Sequence, residues 1–252
     1  MLQQLQNDDA LRAAIVEELS EVKNGAFGVH FVGHEPFRQW IWPWSTDLEN
    51  TKEDSLLFAP ELEDKTMWEY VYDIMTHPEE PHGGVLQRAL FNYGQHSLDP
   101  MADMFQHDKV VAGFSDAGAH GRGQCEAATP TSLIAFWCRD RSRGDLLPIE
   151  LIVKKQTRDS ALMMGLTDRG ELLPGKKADV NVFDLAALNV LPPEYVNDMP
   201  LNAGRWVQAS TGYQMTICSG VVTFEHGQHT GALPGNKLTA SLVFQVSPTV
   251  GK

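Results

Sequence analysis

Apolar residues recur at helical spacing through the first 22 residues of the chain. The apolar positions are Leu11, Ile15, Leu19 and Val22, and charged residues stand between them. Spacing of three or four residues places such side chains along one side of a helix, so the pattern predicts an amphipathic helix. A second helix is indicated by Thr66 with Glu69, which form a capping box ahead of a further apolar stripe.

Strand-like and helix-like segments alternate between residues 85 and 165. Residues 85–92 (VLQRALFN) and 110–115 (VVAGFS) predict strands, and the second is the nearly continuous apolar run of a parallel strand covered on both faces. Helices are predicted at Asp99, Thr129 and Pro148, where proline occupies the first turn. The alternation predicts βα units of an α/β fold.

The pattern changes after Gly165, a predicted helix C-cap. A Pro-Gly turn at 174 and 175 precedes strand-like alternation, and Ser219 with Gly220 separates two β-rich runs as a hairpin would. The sequence therefore predicts an α/β region over residues 1–165, a small β-domain over 166–237 and a tail over 238–252. A short strand is also predicted at residues 28–33.

Charge and composition narrow the classes of function. The 33 acidic and 20 basic residues give a net charge of -13, which disfavours a nucleic-acid partner. The three cysteines show no CxxC spacing and favour free thiols in a reducing compartment. No apolar run of about 18 residues and no classical signal are present, so we expect a cytoplasmic protein without a membrane partner.

The strongest chemical motif is FSDAGAH, at residues 114–120. Asp116 directly follows the predicted strand, and side chains at the carboxyl ends of parallel strands face the functional edge of the fold. A carboxylate there can accept a proton from an activated water and pass it to a leaving amine. Asp116 equally fits an Asx turn or helix cap, and His120 equally fits a surface or packing role.

Four segments carry a resemblance to a known family. They are FSDAGAH, TPTSLIAFWCRDRSRG, TRDSALMMGLTDRGELLPGKKADVNVFD and GYQMTICSGVVTFEHGQHTGALPG. Together, across residues 65–237, they resemble the C-terminal part of amidohydrolases of the N-acyl-D-amino-acid deacylase branch. The resemblance implies the last βα units of a TIM-type barrel, followed by a small β-sandwich domain.

The same resemblance implies a site and a reaction. Asp116 matches the catalytic base beside zinc and is itself a candidate metal ligand. Ser115 and His120, on either side of it in the motif, are predicted to contact the substrate. The implied reaction is metal-dependent hydrolysis of the amide bond of an N-acyl-D-amino acid.

The sequence also departs from that family. Only two or three of eight barrel strands are indicated, and the histidine and cysteine or carboxylate ligands of the earlier barrel strands have no matching positions. His30 and His34 are four apart on a predicted strand, which separates them by about 13 Å. His77 and His82 flank an acidic loop that favours a solvated turn over a metal site.

These departures lead to an expectation about partners. We expect an incomplete barrel that is inactive alone. Either a complementing N-terminal polypeptide completes it and supplies the zinc ligands, or the sequence is a fragment of a longer reading frame. Two alternatives stay open: a cyclic-amide hydrolase resembling dihydroorotase or hydantoinase, and a non-catalytic scaffold subunit.

Overall fold

The computed structural model describes residues 1–21, 41–88, 93, 96–113, 115–118 and 124–238. These residues form two compact units. Unit 1 comprises the described residues of Met1–Pro100 together with Pro192–Gln208, and unit 2 comprises those of 101–118, Gln124–Leu191 and 209–238. The domain division predicted at residues 165 and 237 stays a prediction.

The N-terminal region of unit 1 is helical, as predicted. It forms α1 (Leu2–Asn7) and α2 (Asp9–Glu21), with the break at Asp8. The Asp8 carboxylate accepts a hydrogen bond from the Leu11 backbone N–H at 2.9 Å, so this side chain caps the second helix. The predicted apolar positions of α2 are half-buried, except Val22, which lies outside the described residues.

Helix α3 (Met67–Thr76) begins at the predicted capping box. Thr66 accepts the backbone N–H of Glu69, and the Glu69 carboxylate accepts the backbone N–H of Thr66 at 2.8 Å. Arg12 of α2 donates to Asp73 at 3.0 Å and pairs with Glu69 at 3.4 Å. The capping-box prediction is therefore confirmed, and Glu69 also holds α2 against α3.

Two short strands complete the core of unit 1. Strand β1 (Ile41–Pro43) pairs antiparallel with β2 (Leu86–Arg88), within the predicted strand at 85–92. Among the described residues, β2 has no parallel partner. The hydrophobic core beside it consists of Ile41, Leu56, Val71 and Ile74.

Unit 2 contains the helices predicted at the three prolines. They are α4 (Asp99–Gln106), which starts in unit 1, α5 (Thr129–Ala135) and α6 (Ile149–Lys154). A further helix, α7 (Ser160–Met163), follows α6. A π-helical turn at Phe136–Asp140 extends α5, and a second at Lys155–Asp159 joins α6 to α7. Phe105 meets Trp137 edge to face at 5.5 Å, and Ile152 is buried beside the helical core.

The strand predicted at residues 110–115 is not observed. The described residues of this segment form no strand, and no strand lies among the described residues between 93 and 165. Val110 donates its N–H to the His107 carbonyl at 3.2 Å in a turn, and its own carbonyl accepts Lys155 Nζ. The N–H and the carbonyl of Val110 therefore bond to His107 and Lys155 and not to a neighbouring strand. This is why the strand prediction is wrong at Val110.

The β-rich region after Gly165 is confirmed. Its strands are β3 (Val180–Phe183), β4 (Asn189–Val190), β5 (Glu194–Met199), β6 (Ala203–Val207), β7 (Ser210–Thr211), β8 (Tyr213–Cys218), β9 (Val221–Glu225) and β10 (Gln228–His229). An antiparallel sheet of unit 2 has the order β10-β9-β8-β3, and β4 pairs with β7. Ser219 and Gly220 have φ of 52° and 80°, as the predicted two-residue hairpin requires.

The β5-β6 hairpin belongs to unit 1 rather than to the unit that holds the sheet. The β-sandwich arrangement stays a prediction. The strand predicted at 28–33 and the tail beyond residue 238 lie outside the described residues. Along the described chain, no helix combines the length and apolar character that crossing a membrane requires.

Candidate functional site

Asp116 lies on an irregular segment of unit 2 with its side chain exposed to solvent. Its φ of 60° is left-handed, a conformation that destabilises an ordinary residue by about 1 kcal/mol and that aspartate tolerates better than most. Gly118, with φ of 86°, donates its N–H to the Gln124 carbonyl at 3.0 Å. The local backbone therefore presents the Asp116 carboxylate to water.

Of the other two predicted site residues, the structure describes Ser115 but not His120. Ser115 is half-buried and directly precedes Asp116. His120 lies outside the described residues, so its predicted role stays a prediction. The described part of the motif therefore places a hydroxyl and a carboxylate next to each other in the sequence.

Lys155 holds the segment that leads to Asp116. Its side chain is 1% exposed, and Nζ donates to the carbonyl oxygens of His107 and Val110, each at 2.5 Å. The Asp159 carboxylate lies 3.8 Å from the same nitrogen. An ammonium group buried in this way needs such partners, because leaving it without hydrogen bonds would be strongly destabilising.

A second set of contacts holds the segment that follows the motif. Gln156 Nε2 donates to the Pro130 carbonyl at 3.1 Å, in the first turn of α5. The buried Thr131 hydroxyl lies 2.9 Å from the Tyr213 hydroxyl of β8. The start of α5 is thus fastened both to the π-helical turn after α6 and to the sheet.

The described histidines do not assemble a metal centre. No group of three or more His, Cys, Asp or Glu side chains suited to a metal occurs among the described residues. His77 Nδ1 lies 2.6 Å from the Asp73 carbonyl at the end of α3. His82 Nδ1 accepts the Gly84 N–H at 3.0 Å, and burial is the main cause that lowers the pKa of His82. These two imidazoles therefore stabilise local turns.

The two cysteines near the motif have raised pKa values. Burial, with Glu126 nearby, raises the pKa of the Cys125 thiol. Burial, with Glu150 nearby, raises the pKa of Cys138 to about 11. In the absence of a metal, both side chains are therefore held as neutral thiols near neutral pH. His30 and His34, the other candidate pair, lie outside the described residues.

Comparison with known proteins adds the family. A sequence model described as the amidohydrolase family matches residues 67–224, which is more than half of the chain. The chain belongs to the amidohydrolase family. No curated protein and no solved structure matches it.

Membership of the amidohydrolase family has consequences for fold and chemistry. The family implies a TIM-barrel-type fold and metal-dependent hydrolase activity. The described residues show helices and antiparallel sheets. They supply no group of ligands that fits the metal that amidohydrolases usually bind. The matched residues include Asp116. They also include the π-helical turn at Lys155–Asp159 and strand β8, whose side chains contact the residues before and after Asp116.

Lys155 is the site residue that the sequence interpretation missed. In the sequence it stands in a Lys-Lys pair that looks like a solvated helix surface. One signal does point to its burial: it follows Ile152 by three residues and so continues the buried stripe of α6. A lysine on an apolar stripe indicates a buried hydrogen-bonding role.

Proposed function

We propose that this chain serves in the hydrolysis of non-peptide C–N bonds, deacylating N-acyl-D-amino acids, with Asp116 as the general acid and base. The observation that carries the proposal is the exposed Asp116 carboxylate within the segment matched by the amidohydrolase family. Its left-handed backbone supports the assignment, because strained conformations concentrate at functional sites.

The proposed chemistry at Asp116 is a balanced transfer of one proton. The carboxylate takes a proton from a water as the water oxygen bonds to the amide carbonyl carbon. When the C–N bond breaks, the protonated Asp116 returns that proton to the leaving nitrogen, which departs as the amine of the amino acid. Such general acid and base catalysis contributes about 10²- to 10⁴-fold to a rate.

Ser115 and His120 have proposed roles beside this group. We assign both to contacts with the substrate, Ser115 through its hydroxyl and His120 through its imidazole. Apart from Asp116, the zinc ligands of the proposal come from beyond the described residues, which contain no group of three or more side chains suited to a metal. A complementing N-terminal polypeptide is the proposed source of those ligands, and Asp116 is a candidate additional ligand.

The first experiment measures zinc content and N-acetyl-D-amino-acid hydrolysis, for the chain alone and coexpressed with the polypeptide encoded immediately upstream. Zinc and turnover in the coexpressed sample alone support the proposal. Tight zinc binding and turnover by the isolated chain would refute the need for a partner and would turn attention to His30 and His34. Absence of hydrolysis in both samples contradicts the proposed activity.

The role of Asp116 is tested by replacing its carboxylate with an amide of the same shape. Asp116→Asn is expected to lower kcat by about 10²- to 10⁴-fold. Asp103→Asn is the matched control, because Asp103 is an exposed aspartate on the nearby α4. Equal rates for the two variants would show that Asp116 does not transfer the proton.

The alternative function is a non-catalytic scaffold subunit. The lack of a metal-binding group among the described residues is compatible with either function. The metal measurement separates the two, because a scaffold stays free of zinc even with its partner. Product analysis separates deacylation from cyclic-amide hydrolysis. Deacylation yields two molecules, a carboxylic acid and an amino acid, whereas ring opening yields one molecule that carries both the new carboxylate and the new amine.

A further inference from the structure

We propose that the π-helical turn Lys155–Asp159 positions the loop that carries Asp116, with Lys155 and Gln156 as the positioning residues. The inference rests on the proposed function of Asp116. Neither side chain is assigned contact with the substrate. Their role is to hold Val110 and Pro130, which come before and after Asp116 along the chain.

Lys155 holds the turn that precedes Asp116 along the chain. Lys155 Nζ donates to two carbonyl oxygens of one turn, those of His107 and Val110, and the Val110 N–H also bonds to His107. Val110 is six residues before Asp116. The ammonium group also lies just beyond the end of α4, where a positive charge is favourable to the helix dipole.

Gln156 holds the first turn of α5, which follows Asp116 along the chain. Gln156 is the next residue along the same π-helical turn, and it donates to the Pro130 carbonyl at 3.1 Å. Two consecutive side chains thus reach the segments on both sides of the Asp116 loop. π-Helical turns are rare and frequently occur at functional sites, which is consistent with a positioning role.

Lys155 positions the turn before Asp116 rather than only stabilising the fold. A buried cation is poor evidence for stability, because an apolar side chain of similar volume often serves as well or better. The hydrogen bonds of Lys155, by contrast, end on two carbonyls of the turn before Asp116. The expected consequence of removing the ammonium is therefore local loosening of the loop.

The test compares Lys155→Met with Lys154→Met in the full chain. The two positions receive the same substitution, but Lys155 is 1% exposed while the Lys154 side chain is 43% exposed and pairs with Asp159 at 3.2 Å. Hydrogen exchange is followed for the backbone amides of residues 107–118, with those of β8 as an internal reference. kcat and KM are measured separately on N-acetyl-D-amino acids, with the coexpressed upstream polypeptide present.

We expect Lys155→Met to speed exchange at the Val110 and Gly118 amides by about tenfold through local opening, with β8 unchanged. We expect kcat to fall by about 10²-fold with little change in KM, as for a misplaced catalytic group. Lys154→Met is expected to change neither. Unchanged exchange at residues 107–118 in Lys155→Met, or equal effects of the two variants, would overturn the proposal.

A second variant covers a failure of Lys155→Met to fold. Gln156→Ala leaves the buried ammonium in place and is expected to speed exchange in the first turn of α5 and to lower kcat more than KM. No change in either quantity would overturn the role of the turn. If wild-type protein shows no hydrolysis, the proposed function fails, while the exchange measurement still decides whether Lys155 orders the loop.

Discussion

The core of unit 1 provides a quantitative test of the packing around α3. Ile74 is 3% exposed and belongs to the cluster with Leu56 and Val71. Ile74→Ala removes three carbons, a transfer loss of about 2.4 kcal/mol at 0.8 kcal/mol for each buried methylene. A cavity left in the cluster adds to this loss, so we expect a decrease of about 3 kcal/mol in the free energy of unfolding.

The neighbouring residue is a matched control. Met75 is 59% exposed on the same helix, and Met75→Ala should change the free energy of unfolding by less than about 0.5 kcal/mol. Urea unfolding measures both variants, and with a slope of about 2 kcal/mol per molar the Ile74→Ala midpoint should fall by about 1.5 M. Equal midpoint shifts for the two variants would refute the described packing of α3.

Two further predictions concern pH and backbone conformation. Burial alone would raise the pKa of Asp73, but hydrogen bonds from two basic side chains lower it below its ordinary value of 3.8. Its stabilising effect is therefore present above pH 3.8 and is lost as the pH falls through the lowered pKa of the folded state. The urea midpoints of wild type and Asp73→Asn should differ at pH 7 and converge as the pH falls below 3.8. Gly212→Ala should destabilise the chain more than Gly227→Ala, although both glycines have positive φ. The reason is that a Cβ at Gly212 would lie 2.5 Å from a backbone atom, whereas no atom lies within 4 Å of a Cβ at Gly227. Thermal midpoints check this difference, and equal midpoints would contradict the close approach at Gly212.

Local features of the sequence predicted local features of the structure. The capping box of α3 and the turn at Ser219 are confirmed, because each depends on residues a few positions apart. The helices at the three prolines are confirmed for the same reason. Hydrogen bonds within a turn or first helical turn can be assigned from sequence, since their partners are fixed by chain connectivity.

The strand prediction at residues 110–115 failed because a strand depends on a distant partner. The apolar run is compatible with a buried strand, but the Val110 carbonyl bonds to Lys155, which is 45 residues away. Sequence alone does not reveal that pairing. The antiparallel pairing of β1 with β2 was missed for the same reason, because their residues lie more than forty positions apart.

The candidate site combines both kinds of information. Asp116 was predicted from its motif, and the amidohydrolase family match includes it. The described contacts of its loop come from far along the chain: Lys155 reaches the turn before Asp116, and Tyr213 reaches the helix after it. A motif can therefore identify the reactive group, whereas its geometry depends on side chains that the motif does not contain. This is why we expect substitutions at Lys155 to affect turnover although Lys155 has no role in the proposed chemistry.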